Sequence, residues 1–152
     1  MKIALASDHA AAELREVIRS HLESRGLEPV VYDTTVPRPT DDYPVYADMA
    51  ARAVAKGECD LGILICGTGI GMSLAANKVK GIRAVFADRV EFAELGRQHN
   101  DARCVAMGGR FVTPELGLEI ARAFLTTPFS GDERHARRIA ELEQYEQTGS
   151  LA

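Results

Sequence analysis

Residues 61–77, LGILICGTGIGMSLAAN, leave the chain few folds to choose from. Leu61 to Ile65 is a short apolar run, the pattern of a buried strand. The run stops at Cys66 and breaks into Gly67-Thr68-Gly69-Ile70-Gly71, after which Met72 to Asn77 reads as a helix. Strand, glycine loop and helix in that order make an anion site, because backbone N–H groups at a helix start point at negative charge. A thiol stands at the mouth of this loop. Thiols near helix N-termini tend towards the thiolate, which is both a base and a nucleophile. The stretch therefore suggests a reactive Cys66 beside a cradle for negative charge.

The rest of the chain repeats the strand–helix theme. Lys2 to Ser7 reads as a strand, and Ala10 to Arg25 as a helix with Leu14, Val17, Ile18 and Leu22 in a stripe that Gly26 ends. Leu27 to Tyr32 is a second strand, and Asp33 to Asp42, with Pro37 and Pro39, a loop. Tyr43 and Pro44 open a helix with Tyr46, Met49, Ala50, Ala53 and Val54 on one side. Gly81 to Ala87 is a fourth strand, a helix follows from about Arg89 to Arg97, and Cys104 to Met107 is a fifth, short strand. Pro114 starts a helix with Leu116, Ile120, Ala121 and Phe124 facing a core. The last helix runs from Asp132 to about Tyr145, with Ala136, Ile139, Leu142 and Tyr145 as a thin apolar stripe, and the tail beyond Gln147 frays.

Five alternations predict an α/β fold: a Rossmann-like three-layer sandwich of five parallel strands, helices on both faces and an added C-terminal helix. A length of 152 residues suits one domain, 1–152. A net charge of −4 supplies no broad basic field for nucleic acid. No run reaches membrane-spanning length, and Met1-Lys2 passes straight into a strand, so neither a membrane segment nor a signal peptide is expected. Cys59, Cys66 and Cys104 are odd in number and lack metal-site spacing, which suits a reducing cytoplasm.

In open α/β sheets ligands bind beyond the carboxyl ends of the strands. Ser7-Asp8-His9, Cys66 to Gly71 and Gly108-Gly109-Arg110 all fall there on this reading. Each has a plain alternative. A free cysteine is often a small buried hydrophobe; Cys59 and Cys104 are read so, while the glycine loop sets Cys66 apart. Asp8 alone would be a helix N-cap, with His9 incidental. His99 and Asn100 could simply end a helix. Arg134 and Arg138, four apart, share a helix face and are either a solvated surface or a clamp for phosphate. The glycine loop could also be a dinucleotide site with Asp88 as the ribose acid. Its GxGxG spacing and its place after the third strand speak against that reading.

Taken together, Ser7-Asp8-His9-Ala10, Asp42-Tyr43-Pro44, Ile65 to Gly71, Ala75-Ala76-Asn77-Lys78, Gly81-Ile82-Arg83-Ala84, Gln98-His99-Asn100-Asp101, Gly108-Gly109-Arg110 and Arg134-His135 with Arg138 resemble the type B ribose-5-phosphate isomerase family. That family also holds galactose- and allose-6-phosphate isomerases, and the resemblance covers Lys2 to about Glu146. It implies an aldose–ketose isomerase working through an enediolate without cofactor, metal or nucleotide. Ribose 5-phosphate is the implied substrate, and a six-carbon sugar phosphate is the alternative. Cys66 matches the family's base and His99 the residue that opens the furanose ring. Thr68 with the N–H groups of Gly69, Ile70 and Gly71, beside Gly67, matches the anion hole. Asp8 matches a holder of sugar hydroxyls and Tyr43 a residue beside the sugar. His9, Arg110, Arg134 and Arg138 match phosphate contacts, and Asn100 a further ligand contact. Met72 stands where some members carry a Glu base, which places this chain with the cysteine users. The resemblance also implies a homodimer, or a dimer of dimers, with the site shared between subunits. Ala11 and Ala12 depart from the glycine and aromatic residue that many relatives carry there, leaving a smaller side chain near the sugar.

Overall fold

The computed structural model describes residues 1–33 and 42–152, so most of the expected loop 33–42 lies outside the described residues. Five strands, β1 (Lys2–Ser7), β2 (Glu28–Tyr32), β3 (Leu61–Cys66), β4 (Ala84–Phe86) and β5 (Cys104–Gly108), form one sheet in the order β2-β1-β3-β5-β4. Every pairing is parallel. Six α-helices connect and flank them: α1 (Ala12–Ser24), α2 (Tyr43–Ala55), α3 (Ile70–Ala76), α4 (Val90–Asn100), α5 (Pro114–Thr126) and α6 (Glu133–Thr148).

Side-chain alternation along the strands divides the core in two. Ile3, Leu5, Ile63, Ile65, Val105 and Met107 face α1, α4 and α5, where Ile18, Ala93, Ile120 and Phe124 meet them. The other face carries smaller residues, Ala4, Ala6, Cys104 and Ala106, with Leu64 and Cys66. Against it α2 packs Ala47, Ala50, Ala51 and Val54, and α3 packs Met72 and Ala76. Small residues on both partners bring α2 close to the sheet. The Cys66 side chain belongs to this second face, beneath the start of α3.

Several elements differ from the sequence reading. α1 is preceded by a 3-10 turn, His9–Ala11, because the Asp8 carboxylate caps the Ala10 N–H. Gly26 does end the first helix, in the left-handed region at φ 75°. β4 shrinks from the expected Gly81–Ala87 to three residues. There the Val79 carbonyl takes the Ile82 N–H and the Glu146 carboxylate takes the Gly81 N–H, so the first residues make a turn. Met49, expected on the buried side of α2, is exposed, and Ala47 and Ala51 take the core positions. The helix after β4 continues through His99 and Asn100, and Asp101 caps it at φ 43° in place of Asn100. The α6 stripe is also revised: Ala136 is exposed, Leu142 is 53% and Tyr145 57% exposed, and His135 is the one buried residue of the helix. α6 runs on to Thr148, beyond the expected end, and Gly149 closes it.

Candidate active site

The carboxyl edge of the sheet gathers Asp8, the glycine loop, Tyr43 and Arg110. The Asp8 N–H donates to the Ile65 carbonyl (3.2 Å), which fixes the end of β1 beside β3. Its carboxylate accepts from the Ala10 N–H at 3.0 Å. His9 is exposed on the 3-10 turn. Behind Asp8, buried Ser7 receives Arg15 Nη1 (3.3 Å), and the same guanidinium is paired with Asp33. Arg15 thus ties the ends of β1 and β2 together. A lone Arg in a helix gave no sign of this in the sequence.

Cys66 is the last residue of β3 and only 4% exposed. Its Sγ accepts the Gly69 N–H at 3.2 Å. The Thr68 hydroxyl accepts the Ile70 N–H, also at 3.2 Å. Two of the amides expected to receive an oxyanion are therefore held by Sγ and Oγ1 inside the loop, and an incoming oxygen competes with those atoms for them. The turn itself depends on Gly69, which has φ 82° as the N-cap of α3. A side chain there would lie 2.6 Å from the Met107 carbonyl carbon.

Two neighbours close over the loop. The Arg110 guanidinium stands above Gly67, where a Cβ would be 3.0 Å from Nη1. It is placed by the Arg110 N–H to Gly67 carbonyl bond (3.1 Å) and the Gly109 N–H to Cys66 carbonyl bond (2.8 Å), which prolong the β3–β5 pairing. Tyr43, the first residue of α2 and 38% exposed, packs its ring on Gly71.

His99, Asn100, Arg134 and Arg138 gather elsewhere. α4 runs back from the end of β4 to the start of β5, so its last turn lies at the amino edge of the sheet. Arg83, just before β4, donates Nε to the Asn100 carbonyl (2.7 Å) and Nη2 to the Asp101 carbonyl (3.2 Å), locking that corner. The His99 ring lies 4.2 Å from the His135 ring of α6. Arg134 and Arg138 are exposed on the same helix and make no ion pair among the described residues, whereas Arg137 pairs with Glu133. Within one chain the His99 group is a strand length away from Cys66. Asp88 pairs with Arg89 at 2.8 Å, which holds its carboxyl below the usual carboxylate range. It lies just past β4, and β5 separates that strand from β3, so Asp88 does not follow the strand next to the glycine loop as a ribose acid would. A cavity of about 340 Å³ between α6 and the α3–β4 turn is lined by Asn77, Arg83, Leu142 and Glu146. The Arg83 charge there is already engaged by Glu143 and the Asn100 carbonyl.

A doubly wound α/β sheet with a thiol and a hydroxyl on a glycine loop at its carboxyl edge defines an enzyme-like class of site. The comparisons narrow it. Residues 3–142 match the model of the Ribose/Galactose Isomerase family, and the chain belongs to that family. It is 46% identical over 146 residues to ribose-5-phosphate isomerase B of Escherichia coli strain K12, covering 96% of this chain and 97% of that protein. The fold superposes on ribose-5-phosphate isomerase B of Clostridium thermocellum with a TM-score of 0.94 at 42% identity, over 99% of this chain and 100% of that one. A Mycoplasma genitalium ribose-5-phosphate isomerase B, solved with bound ribulose 5-phosphate, superposes with a TM-score of 0.92 at 40% identity, covering 97% of both chains.

Proposed function

We propose that the chain interconverts ribose 5-phosphate and ribulose 5-phosphate, with Cys66 as the base. The observation that carries the assignment is the Cys66 thiol at the mouth of the glycine loop, its sulfur held by the Gly69 N–H. A C–H beside a carbonyl is a weak acid, and a base for it needs a pKa near the working pH. The open-chain aldose loses its C2 proton to the thiolate, and an enediolate forms across C1 and C2. The proton returns to C1, while the O2 hydroxyl proton passes to O1, so product and substrate are isomers. Charge on the enediolate oxygens is met by the amides of Gly69, Ile70 and Gly71 with the Thr68 hydroxyl. Removing one such donor costs on the order of 2.7–4 kcal/mol in the transition state. In this assignment His99 opens the ring, Asp8, Tyr43 and Asn100 hold the sugar, and His9, Arg110, Arg134 and Arg138 bind the phosphate. Phosphate binding far from the reacting carbons positions them over the sulfur. The proposed setting is the cytoplasm.

The complete site needs two copies of the chain. What supports this is the separation of His99, Asn100, Arg134 and Arg138 from Cys66 by the length of the sheet. Beside the glycine loop, Val45 and Met49 of α2 and Ile70 and Leu74 of α3 are exposed at i, i+4 spacing, an apolar face suited to a second subunit. Mixing inactive Cys66→Ala and His99→Ala proteins after subunit exchange regains activity if the site is shared; persistent inactivity refutes sharing. The substrate is tested by assaying ribose 5-phosphate, allose 6-phosphate and galactose 6-phosphate side by side with EDTA present. The best kcat/KM is expected for ribose 5-phosphate. A six-carbon preference keeps the chemistry and changes the substrate; Ala11, 3% exposed and packed into the core, adds no room for it.

A further inference from the structure

Ser7 and His135 are the buried polar side chains among the described residues. Arg15 accounts for Ser7. His135, 4% exposed, is the one buried residue of an otherwise solvated α6, and the assignment above leaves it without a role. A histidine in such a place is ordinarily a satisfied packing residue. Its neighbours argue for more.

The Nδ1 atom of His135 shares a hydrogen bond with Ser130 Oγ at 2.8 Å. The Ser130 N–H donates to the Gln98 carbonyl at 3.0 Å, one residue before His99. The His135 N–H donates to the Asp132 carbonyl at 3.0 Å, which fixes the first turn of α6. The free face of the His135 ring meets the His99 ring, 4.2 Å away and tilted by 32°. Gln98, Ser130, His135 and His99 thus form a closed circuit around the end of α4. The charged and titratable groups facing His135 are His99 from α4 and Asp132, Arg134 and Arg138 from α6 and its cap. Burial, with the cationic neighbours, keeps the His135 imidazole below the usual histidine range. A neutral ring can lie against His99 without opposing a proton arriving on it.

We propose that His135 is a positioning residue for His99: its buried ring, pinned by Ser130, is the surface that orients the His99 imidazole for its proton transfers. The proposal rests on the reading of His99 as the ring-opening residue. Half-buried His99 needs such a wall, because a displacement of about 1 Å at a reacting group can cost on the order of a hundredfold in rate.

The test uses the full chain with three variants: His135→Ala, His135→Phe and Ser130→Ala. Loss of the wall is expected to lower kcat by about tenfold or more in His135→Ala with KM changed by less than about twofold, since orientation and not phosphate binding is lost. His135→Phe, which restores a ring face, recovers most of that kcat. The ring proton resonances of His99 shift in His135→Ala, because the neighbouring ring current is gone, and Ser130→Ala gives a smaller shift. If His135→Ala does not fold, the other two variants carry the test: each keeps a ring face and loses the Ser130 bond, so a similar, modest fall in kcat with KM unchanged and a moved His99 resonance supports the proposal. Wild-type kcat together with an unmoved His99 resonance overturns it, as does a loss confined to KM. Failure of the underlying reading is separable: His99→Ala would then turn over at the wild-type rate.

Discussion

The ring of Tyr43 occupies the space above the α-carbon of Gly71, where a methyl group would lie 2.5 Å from the ring carbon Cζ. The first residue of α2 is thereby seated on the first turn of α3. Gly71 sits inside a helix, where alanine is worth up to about 1 kcal/mol more than glycine. Crowding costs about 1–3 kcal/mol in a rigid core, but Tyr43 is partly exposed and can swing aside. Gly71→Ala is therefore expected to leave stability within about 1 kcal/mol of wild type while lowering kcat/KM by about tenfold. Thermal melting and steady-state kinetics on one preparation check both halves. Adding Tyr43→Ala to Gly71→Ala should cause little further loss, because both act on one ring.

The same substitution two residues earlier has the opposite character. Gly69 holds φ 82°, and a Cβ there meets the Met107 backbone at 2.6 Å. A left-handed alanine costs roughly 1–2 kcal/mol, and paired backbone of β5 cannot swing aside. Gly69→Ala should lose about 3 kcal/mol or more in urea unfolding, with activity lost alongside. A loss below about 1 kcal/mol would show that the loop has another way to turn.

Stability should fall on the alkaline side. Burial pushes the Cys104 thiol from 9.0 up to about 12. Burial, with Cys59 beside it, likewise raises the Tyr32 phenol from 10.0 to about 12. Between those ordinary values and 12 the folded chain keeps protons that the unfolded chain has released. Stability from these groups is complete below about pH 8.5 and is lost as pH climbs towards 12. Urea titrations from about pH 8 to 11 measure the slope, and Cys104→Ala should flatten it.

Arg134 and Arg138 of α6, which make no ion pair among the described residues, should act on binding. Charge-assisted bonds are worth about 1.5–3 kcal/mol each. Arg134→Ala and Arg138→Ala should each raise KM by about ten- to a hundredfold, with a smaller effect on kcat. The control is Arg137→Ala, whose partner Glu133 is exposed, and it should change KM by less than about twofold. An unchanged KM in both test variants would make this face of α6 a plain surface.

What could be read from the sequence follows from which contacts are local. β1 and β3 are legible to within a residue because their apolar runs are buried on both faces. Strand polarity alone puts Asp8, Cys66 to Gly71 and Arg110 on one edge, and they stand there. Periodicity failed on α6, where Leu142 and Tyr145 keep a helical apolar spacing yet stay exposed in the single chain. Met49 on α2 misled for the same reason. Apolar spacing reports that a face will be covered, without saying whether by the same chain. The contacts of Arg15 and His135 are invisible in sequence because their partners, Asp33 and His99, lie 18 and 36 positions away.

Cys66→Ala is the measurement that bears most directly on the mechanism. It removes one sulfur atom at the end of β3 and leaves both faces of the sheet packed. The turnover of ribose 5-phosphate by the purified variant should fall to the detection limit, while circular dichroism and melting stay close to those of wild type. A folded Cys66→Ala protein turning over at a near-native rate would contradict a thiolate base and require the proton to move through another group on the loop.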